Sequence, residues 1–275
     1  MKKYLKRVLP KSIKIVIIKI LRFFSSRYAK IPKEELEIFE LLKDSLHTVF
    51  DIGAREDLSF FNIKRDCVYH LFEPNKKFSE TLRKKVAKLG INNIIINEFG
   101  LSDKNENNSI YYEDAQSFVK NPFLENTDTG KRYSLKKLDD YVSENKIPYI
   151  NFLKIDAEGM DYRIILGGIN VVQNKTDYIQ FEYWDGVKKF VDILDNTFDL
   201  YLMMEPQLRK AIMTQAFEVM TVNQKNKNYH KSLIFLDQEV INLIDNILIP
   251  KGCGGNILGV SKNHTMVNLE SIKLI

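Results

Sequence analysis

From His47 to Met204 the chain alternates short apolar runs with amphipathic segments, and the apolar runs end in carboxylates. Val49-Phe50 leads into Asp51-Ile52-Gly53, and Val68 to Phe72 leads into Glu73-Pro74. The run Asn93 to Glu98 is followed by Gly100-Leu101-Ser102-Asp103. Tyr149 to Ile155 carries Lys154 and leads into Asp156 and Glu158, and Asp177 to Phe181 leads into Glu182. Runs of this length bounded by turn residues read as strands, and Phe78, Leu82 and Val86 at helical spacing mark a crossover helix between two of them. Alternation sustained over about 150 residues dictates a mostly parallel sheet with helices on both faces. Ligands of such sheets sit at the carboxyl ends of the strands, which is where these acidic groups fall.

The remaining elements follow from period and punctuation. A helix is expected over 32–46, with Pro32 in its first turn and Leu36, Phe39 and Leu42 on one side. The crossover helix spans about 75–89 and stops at Gly90. An edge strand begins near Asn108, a loop runs to about Arg132, and Ser134 is placed to cap a short helix through Tyr141. A helix carrying Ile164, Ile165 and Leu166 stops at Gly167-Gly168, and another covers about Val187 to Asp195. A strand over Phe198–Met204 closes the alternation. Gln207 to Met220 reads as helix or lid, and 223–231 as a polar loop. The apolar stretches at 232–236 and 240–249 do not separate into strand or helix by period. Gly254 to Ser261 reads as a last strand, antiparallel at the sheet end. The chain therefore divides into 1–46, an N-terminal basic amphipathic helix with a lead-in helix, and 47–275, the α/β domain, with 205–250 as its lid or substrate region.

Charge is distributed unevenly. Residues 1–30 hold ten of the 41 Lys and Arg and no acidic residue, which leaves 31 basic against 36 acidic residues in the rest. A mildly acidic body argues against a nucleic-acid-binding core. On a helical wheel, Leu5, Leu9, Ile13, Val16, Ile17, Ile20, Phe23 and Phe24 share one face and Arg7, Lys11, Lys14, Lys19 and Arg22 the other. No uncharged run there approaches the ~18 residues of a spanning helix. Two readings stay open: a helix lying on an anionic membrane surface, or one packed on the core or a partner. The two cysteines, Cys67 and Cys253, are too few for a disulfide framework and imply a reducing compartment, hence a cytoplasmic protein, peripheral to the inner face of a membrane on the first of those readings. No Cys/His spacing suits a metal. Oligomeric state is not legible.

The acidic ends carry the chemistry. Glycine in Asp51-x-Gly53 lets a ligand approach the backbone, and Glu73, 22 residues after Asp51, can accept from both hydroxyls of a ribose. Asp103 could accept from an adenine amino group or open an Asx turn. Lys154 and Asp156 point to one face of a strand. A lysine in a strand covered on both sides needs a partner. Asp156 is therefore either half of a structural ion pair or a general base whose proton affinity Lys154 sets. Glu182, at the end of the next strand, is the competing base.

Taken together, Val-Phe-Asp51-Ile-Gly53-Ala, Leu-Phe-Glu73-Pro74-Asn, Gly100-Leu-Ser-Asp103, Ser134-Leu-Lys-Lys-Leu138-Asp139-Asp140-Tyr, Phe-Leu-Lys154-Ile-Asp156-Ala-Glu158-Gly159 and Gln180-Phe-Glu182-Tyr resemble, in order and spacing over roughly 47–184, the FkbM-type family of S-adenosylmethionine-dependent methyltransferases. The resemblance implies a Rossmann-like, seven-stranded methyltransferase sheet with an antiparallel last strand. It implies S-adenosylmethionine as cofactor, with Asp51 and Gly53 flanking its methionine portion, Glu73 at its ribose and Ser102-Asp103 at its adenine edge, and Arg55 in the same loop is a further candidate cofactor contact. It implies O-methylation, often of sugar or polyketide-like hydroxyls, and the expected acceptor is a small molecule or glycan, a hydroxyl of a carbohydrate or glycan precursor; the residue reading above supplies Asp156, Lys154 and Glu182 as the catalytic set. No metal is required, although the carboxylates could recruit Mg²⁺. The chain departs from the family pattern at Asp57, where the family has glycine. Two other functions fit parts of the pattern. One is a non-catalytic nucleoside-binding or interaction module on the same fold. The other is a nicotinamide-dependent oxidoreductase, against which the missing Gly-x-Gly-x-x-Gly argues.

Overall fold

The computed structural model of the protein describes residues 33–111, 131–204 and 233–263. The expectations for the N-terminal 1–30, the loop over 113–130, the stretch Gln207 to Met220 and the polar loop 223–231 lie outside the described residues.

An eight-stranded sheet forms the centre, in the order β10-β9-β11-β8-β7-β1-β2-β3. Its strands are β1 (Thr48–Ile52), β2 (Val68–Phe72), β3 (Ile94–Asn97), β7 (Ile150–Ile155), β8 (Thr176–Tyr183), β9 (Phe198–Met203), β10 (Leu233–Phe235) and β11 (Gly255–Ser261). The pairs β1–β2, β2–β3, β1–β7 and β7–β8 are parallel. β11 runs antiparallel to both of its neighbours, and β10 antiparallel to β9. Three short strands, β4 (Gly100–Leu101), β5 (Glu106–Tyr111) and β6 (Lys131–Lys136), make a second sheet in the order β4-β6-β5.

This is the Rossmann-like sheet expected, with two corrections. It has eight strands rather than seven, because β10 adds to the free edge of β9. The antiparallel β11 lies between β8 and β9, not at the sheet end. All seven of its residues are buried, as an interior strand requires and an edge strand would not.

The helices are α1 (Lys33–Leu42), α2 (Ser59–Ile63), α3 (Lys76–Lys88), α4 (Leu138–Glu144), α5 (Asp161–Gly167), α6 (Ile169–Lys175), α7 (Lys188–Leu194) and α8 (Gln238–Leu243). α3 ends as its sequence predicts, at Gly90 with φ +64°. Ser134 does not cap a helix. It sits inside β6, where Tyr133 and Leu135 turn inward, and α4 starts four residues later. The reason is non-local: β6 pairs with β5, which no local signal near Ser134 announces. α6, absent from the expectation, restarts directly after Gly168 and is tied down by Asp139, whose Oδ1 accepts from Val171 N at 2.9 Å.

Period 2 sends alternate residues of each strand into two cores. Phe50, Phe72, Leu153, Ile155, Ile179 and Phe181 meet Leu138, Tyr141, Ile164 and Phe190 on one face. Val49, Tyr69, Leu71, Phe152, Tyr178 and Leu258 meet Ile38, Phe39 and Leu42 of α1 and Phe60 and Phe61 of α2 on the other. The α1 face also carries the register row Asp51–Lys154–Gln180. Its polar side chains lie one strand apart below the carboxyl edge. Among the described residues, no helix is long and apolar enough to cross a membrane.

Candidate functional site at the carboxyl edge of the sheet

Asp51 and Glu182 are the next-to-last residues of β1 and β8, and Glu73 and Asp156 directly follow β2 and β7, so the central strands deliver four carboxylates to one edge. Lys154 lies beneath them, 3% exposed. Its Nζ is 3.1 Å from Asp156 Oδ2 and 3.5 Å from Asp51 Oδ1. Burial opposes the charge on Lys154, but Asp156, Asp51 and Glu35 outweigh it and hold the ammonium well above the ordinary lysine range. Burial pushes the Asp51 carboxyl up against the pull of Lys154. Asp51 is 4% exposed and its Oδ1 makes no hydrogen bond. The Asp156 side chain, by contrast, is 36% exposed and faces the edge.

The loop after β1 is built from its own backbone. Gly53 N and Ala54 N both donate to Phe72 O, at 2.9 and 3.3 Å, and Arg55 N donates to Glu73 Oε2 at 2.8 Å. Glu73 Oε1 accepts from Asn75 N at 2.7 Å. The Glu73 carboxylate therefore ties the β1 loop to the β2 turn while 3% exposed. Burial pushes it up to about 7, against those backbone donors. Gly53 has φ +83°, and a Cβ there would lie 1.9 Å from Asp156 O. Glycine is thus dictated by the crossing of the β1 and β7 ends. Arg55 adopts φ +51° and sets its guanidinium 5.3 Å from the Phe78 ring centroid. Asp57 is employed locally: its Oδ1 accepts from Ser59 N at 2.6 Å in the turn that opens α2.

Ser102 and Asp103 leave β4 toward α5. Asp103 Oδ1 takes Arg163 Nη2 at 2.6 Å, Arg163 Nε at 2.8 Å and Ser102 Oγ at 3.0 Å. Gly167 lets this segment pass, since a Cβ there would lie 1.9 Å from Ser102 O.

Glu182 gathers further acids around it. Its backbone N donates to Asp161 Oδ1 at 3.0 Å, and its Oε2 accepts from Trp184 Nε1 at 2.8 Å. Burial, and then the charge of Asp156, push Glu182 up to about 9. Burial likewise raises Asp161 and Glu158 to about 7, with Asp156 adding to both. Glu158 is held at φ +51° in the turn after β7.

The structure thus brings Asp51, Lys154, Asp156 and Glu182 to one edge, and locks Gly53, Arg55 and Glu73 into the adjoining loop. Ser102-Asp103 forms a separate pair anchored on α5. Sequence reasoning missed Asp161 and Arg163. Asp161 could have been suspected as an acid in the first turn of a helix. Arg163 carried no signal, because its partner is 60 residues away. Chemically, the edge suits a ligand that brings positive charge and several hydroxyls. It does not suit a pyrophosphate, because the amides of the β1 loop that would bind one are already bonded. Among the described residues, no group of His, Cys, Asp and Glu could hold a metal ion.

Residues 51–199 match the family profile described as Methyltransferase FkbM domain. No curated protein matches the chain. Among solved structures, methyltransferase FkbM from Methylobacillus flagellatus KT is 15% identical with a TM-score of 0.42, over 58% of this chain and 40% of that one. The match thus spans less than half of that protein's length. The SAM-dependent O-methyltransferase of Thermotoga maritima is 9% identical with a TM-score of 0.39, over 88% of this chain and 70% of that one. A Streptococcus mutans protein in complex with SAH is 12% identical with a TM-score of 0.40, over 84% and 99%.

Proposed function

Because the chain belongs to the FkbM methyltransferase family, we propose that it is an S-adenosylmethionine-dependent O-methyltransferase acting on a hydroxyl of a carbohydrate or glycan precursor. The observation that supports this reading best is the convergence of Asp51, Glu73, Asp156 and Glu182 on one sheet edge, where the buried Lys154 pairs with Asp51 and Asp156. The residues present fit such a cofactor. Asp51 offers a buried oxygen without a hydrogen bond. Glu73 keeps one lone pair on each oxygen beyond its two backbone donors, enough for a ribose diol. Asp103, held by Arg163 and Ser102, would accept from the adenine amino group. When bound, S-adenosylmethionine supplies a methyl group activated by its own sulfonium.

The protein's part is then to hold an alcohol in line and remove its proton. Asp156 is the group placed for this, at the open edge and within 3.1 Å of an ammonium. Lys154, kept cationic, orients the Asp156 carboxylate through their ion pair. Glu182 is a poor base at neutral pH, since burial raises it to about 9, and it serves better as a hydrogen-bond donor to an acceptor oxygen.

Calorimetric titration with S-adenosylhomocysteine and, separately, with NAD tests the assignment. Binding of the first alone is expected. Binding of neither would leave a non-catalytic module, and binding of NAD an oxidoreductase. Asp156→Asn should keep the S-adenosylhomocysteine affinity and lower turnover by about 10²–10⁴, the usual worth of a positioned base. Persistent turnover would transfer the role of base to Glu182.

A further inference from the structure

The chain contains one tryptophan, Trp184, and it is 53% exposed. An indole left half in water forgoes a large hydrophobic gain, so its place on the surface calls for a reason. The ring is not loose. Its Nε1 donates to Glu182 Oε2 at 2.8 Å. On its benzo side lies Gly254, where a Cβ would come within 2.5 Å of Trp184 Cε3. Bare glycine backbone thus supports the ring, and its exposed area lies at the carboxyl end of β8, two residues past Glu182. It adjoins the acidic edge without belonging to either core.

We propose that Trp184 is the platform on which a pyranose ring of the acceptor stacks, its apolar C–H face on the indole and its hydroxyls directed to Glu182 and Asp156. The inference rests on the methyl-transfer reading above and names the acceptor-binding residue within it. A sugar fits better than a flat aryl alcohol, because it presents an apolar face and several hydroxyls at once. The indole edge is already committed to Glu182, which fixes the ring and couples the platform to the acidic group beside it.

A single tryptophan makes the test direct. Emission of the full-length protein, saturated with S-adenosylhomocysteine, is followed during titration with methyl glycosides of glucose, galactose, mannose and rhamnose, and with catechol. At least one glycoside should change the emission saturably. Trp184→Ala should then raise KM for that glycoside in methyl transfer by about tenfold, the size of one good ring contact. It should leave kcat and S-adenosylhomocysteine affinity within about threefold, a change too small for a lost contact. Trp184→Phe should recover part of the KM. Emission that answers to catechol and not to the glycosides, or to none of the probes, overturns the platform. So does an unchanged KM in Trp184→Ala. Those failures leave the methyl-transfer reading intact, whereas a wild-type protein that binds no S-adenosylhomocysteine removes both.

Discussion

Glu73 has two backbone amides to satisfy before it meets any ligand, Arg55 N at 2.8 Å and Asn75 N at 2.7 Å. Glu73→Ala should therefore do two things. It should weaken S-adenosylhomocysteine binding by about 1–3 kcal/mol through the loss of the hydroxyl acceptor, and lower folding stability by a similar amount through the unpaired donors. Calorimetry reads the first and chemical denaturation the second. A loss of stability with unchanged affinity would confine Glu73 to holding the loop. The positions of Asp51, Glu73, Asp156 and Glu182 were legible because a strand end is visible in sequence. What each carboxyl does was not. The proton affinity of Glu182 comes from burial and from Asp156 on the neighbouring strand, and the Asp103–Arg163 pair joins elements far apart in the chain. Asp57, which stands where the family pattern has glycine, accepts from Ser59 N in the turn that opens α2, a local role its sequence position did not announce.

At the scale of elements, α1 illustrates how far periodicity reaches. Its apolar spacing predicts an amphipathic helix with Leu36, Phe39 and Leu42 on one side; Phe39 and Leu42 are buried, Leu36 is partly buried beside them, and Ile38, not named by that spacing, is buried as well. Phe39, 0% exposed, lies 4.5 Å from the Phe60 ring and 5.1 Å from the Phe152 ring, so it joins α1 to α2 and β7. Phe39→Ala should cost about 3–5 kcal/mol, measured by urea unfolding. A cost below about 1 kcal/mol would mean that α1 packs only loosely on the sheet. Periodicity did not foresee that Glu35, on the same helix, would be 3% exposed. It accepts from Asn256 Nδ2 of β11 at 3.3 Å and adds to the field that keeps Lys154 charged. A glutamate in a helix reads as solvated until the partner strand is known. The same limit hid the interior position of β11 and the pairing that draws Ser134 into β6: both are contacts between distant segments.

Across the whole molecule, the acidic edge should govern how stability depends on pH. Burial raises Glu73, Glu158 and Asp161 to about 7 and Glu182 to about 9. In the unfolded chain these carboxyls ionise near pH ~4. Between that value and their folded values the native protein binds more protons than the unfolded chain, so stability falls as pH rises through the window. The loss approaches about 1.4 kcal/mol for each pH decade over which one group stays protonated only when folded. These groups should therefore make stability decline steadily from pH 5 to pH 9. Glutamine at 182 cannot ionise in either state, so Glu182→Gln should flatten the upper part of the decline, from about pH 7 to 9, and leave the lower part to the other three groups. Urea unfolding of both proteins at pH 5, 7 and 9 measures the difference. An equal slope in the two would show that Glu182 is ionised in the fold, and Glu182 would return as a candidate base beside Asp156. If S-adenosylmethionine binds as proposed, its ammonium and sulfonium charges would add to that of Lys154 at this edge, and its binding should favour release of the protons that burial retains.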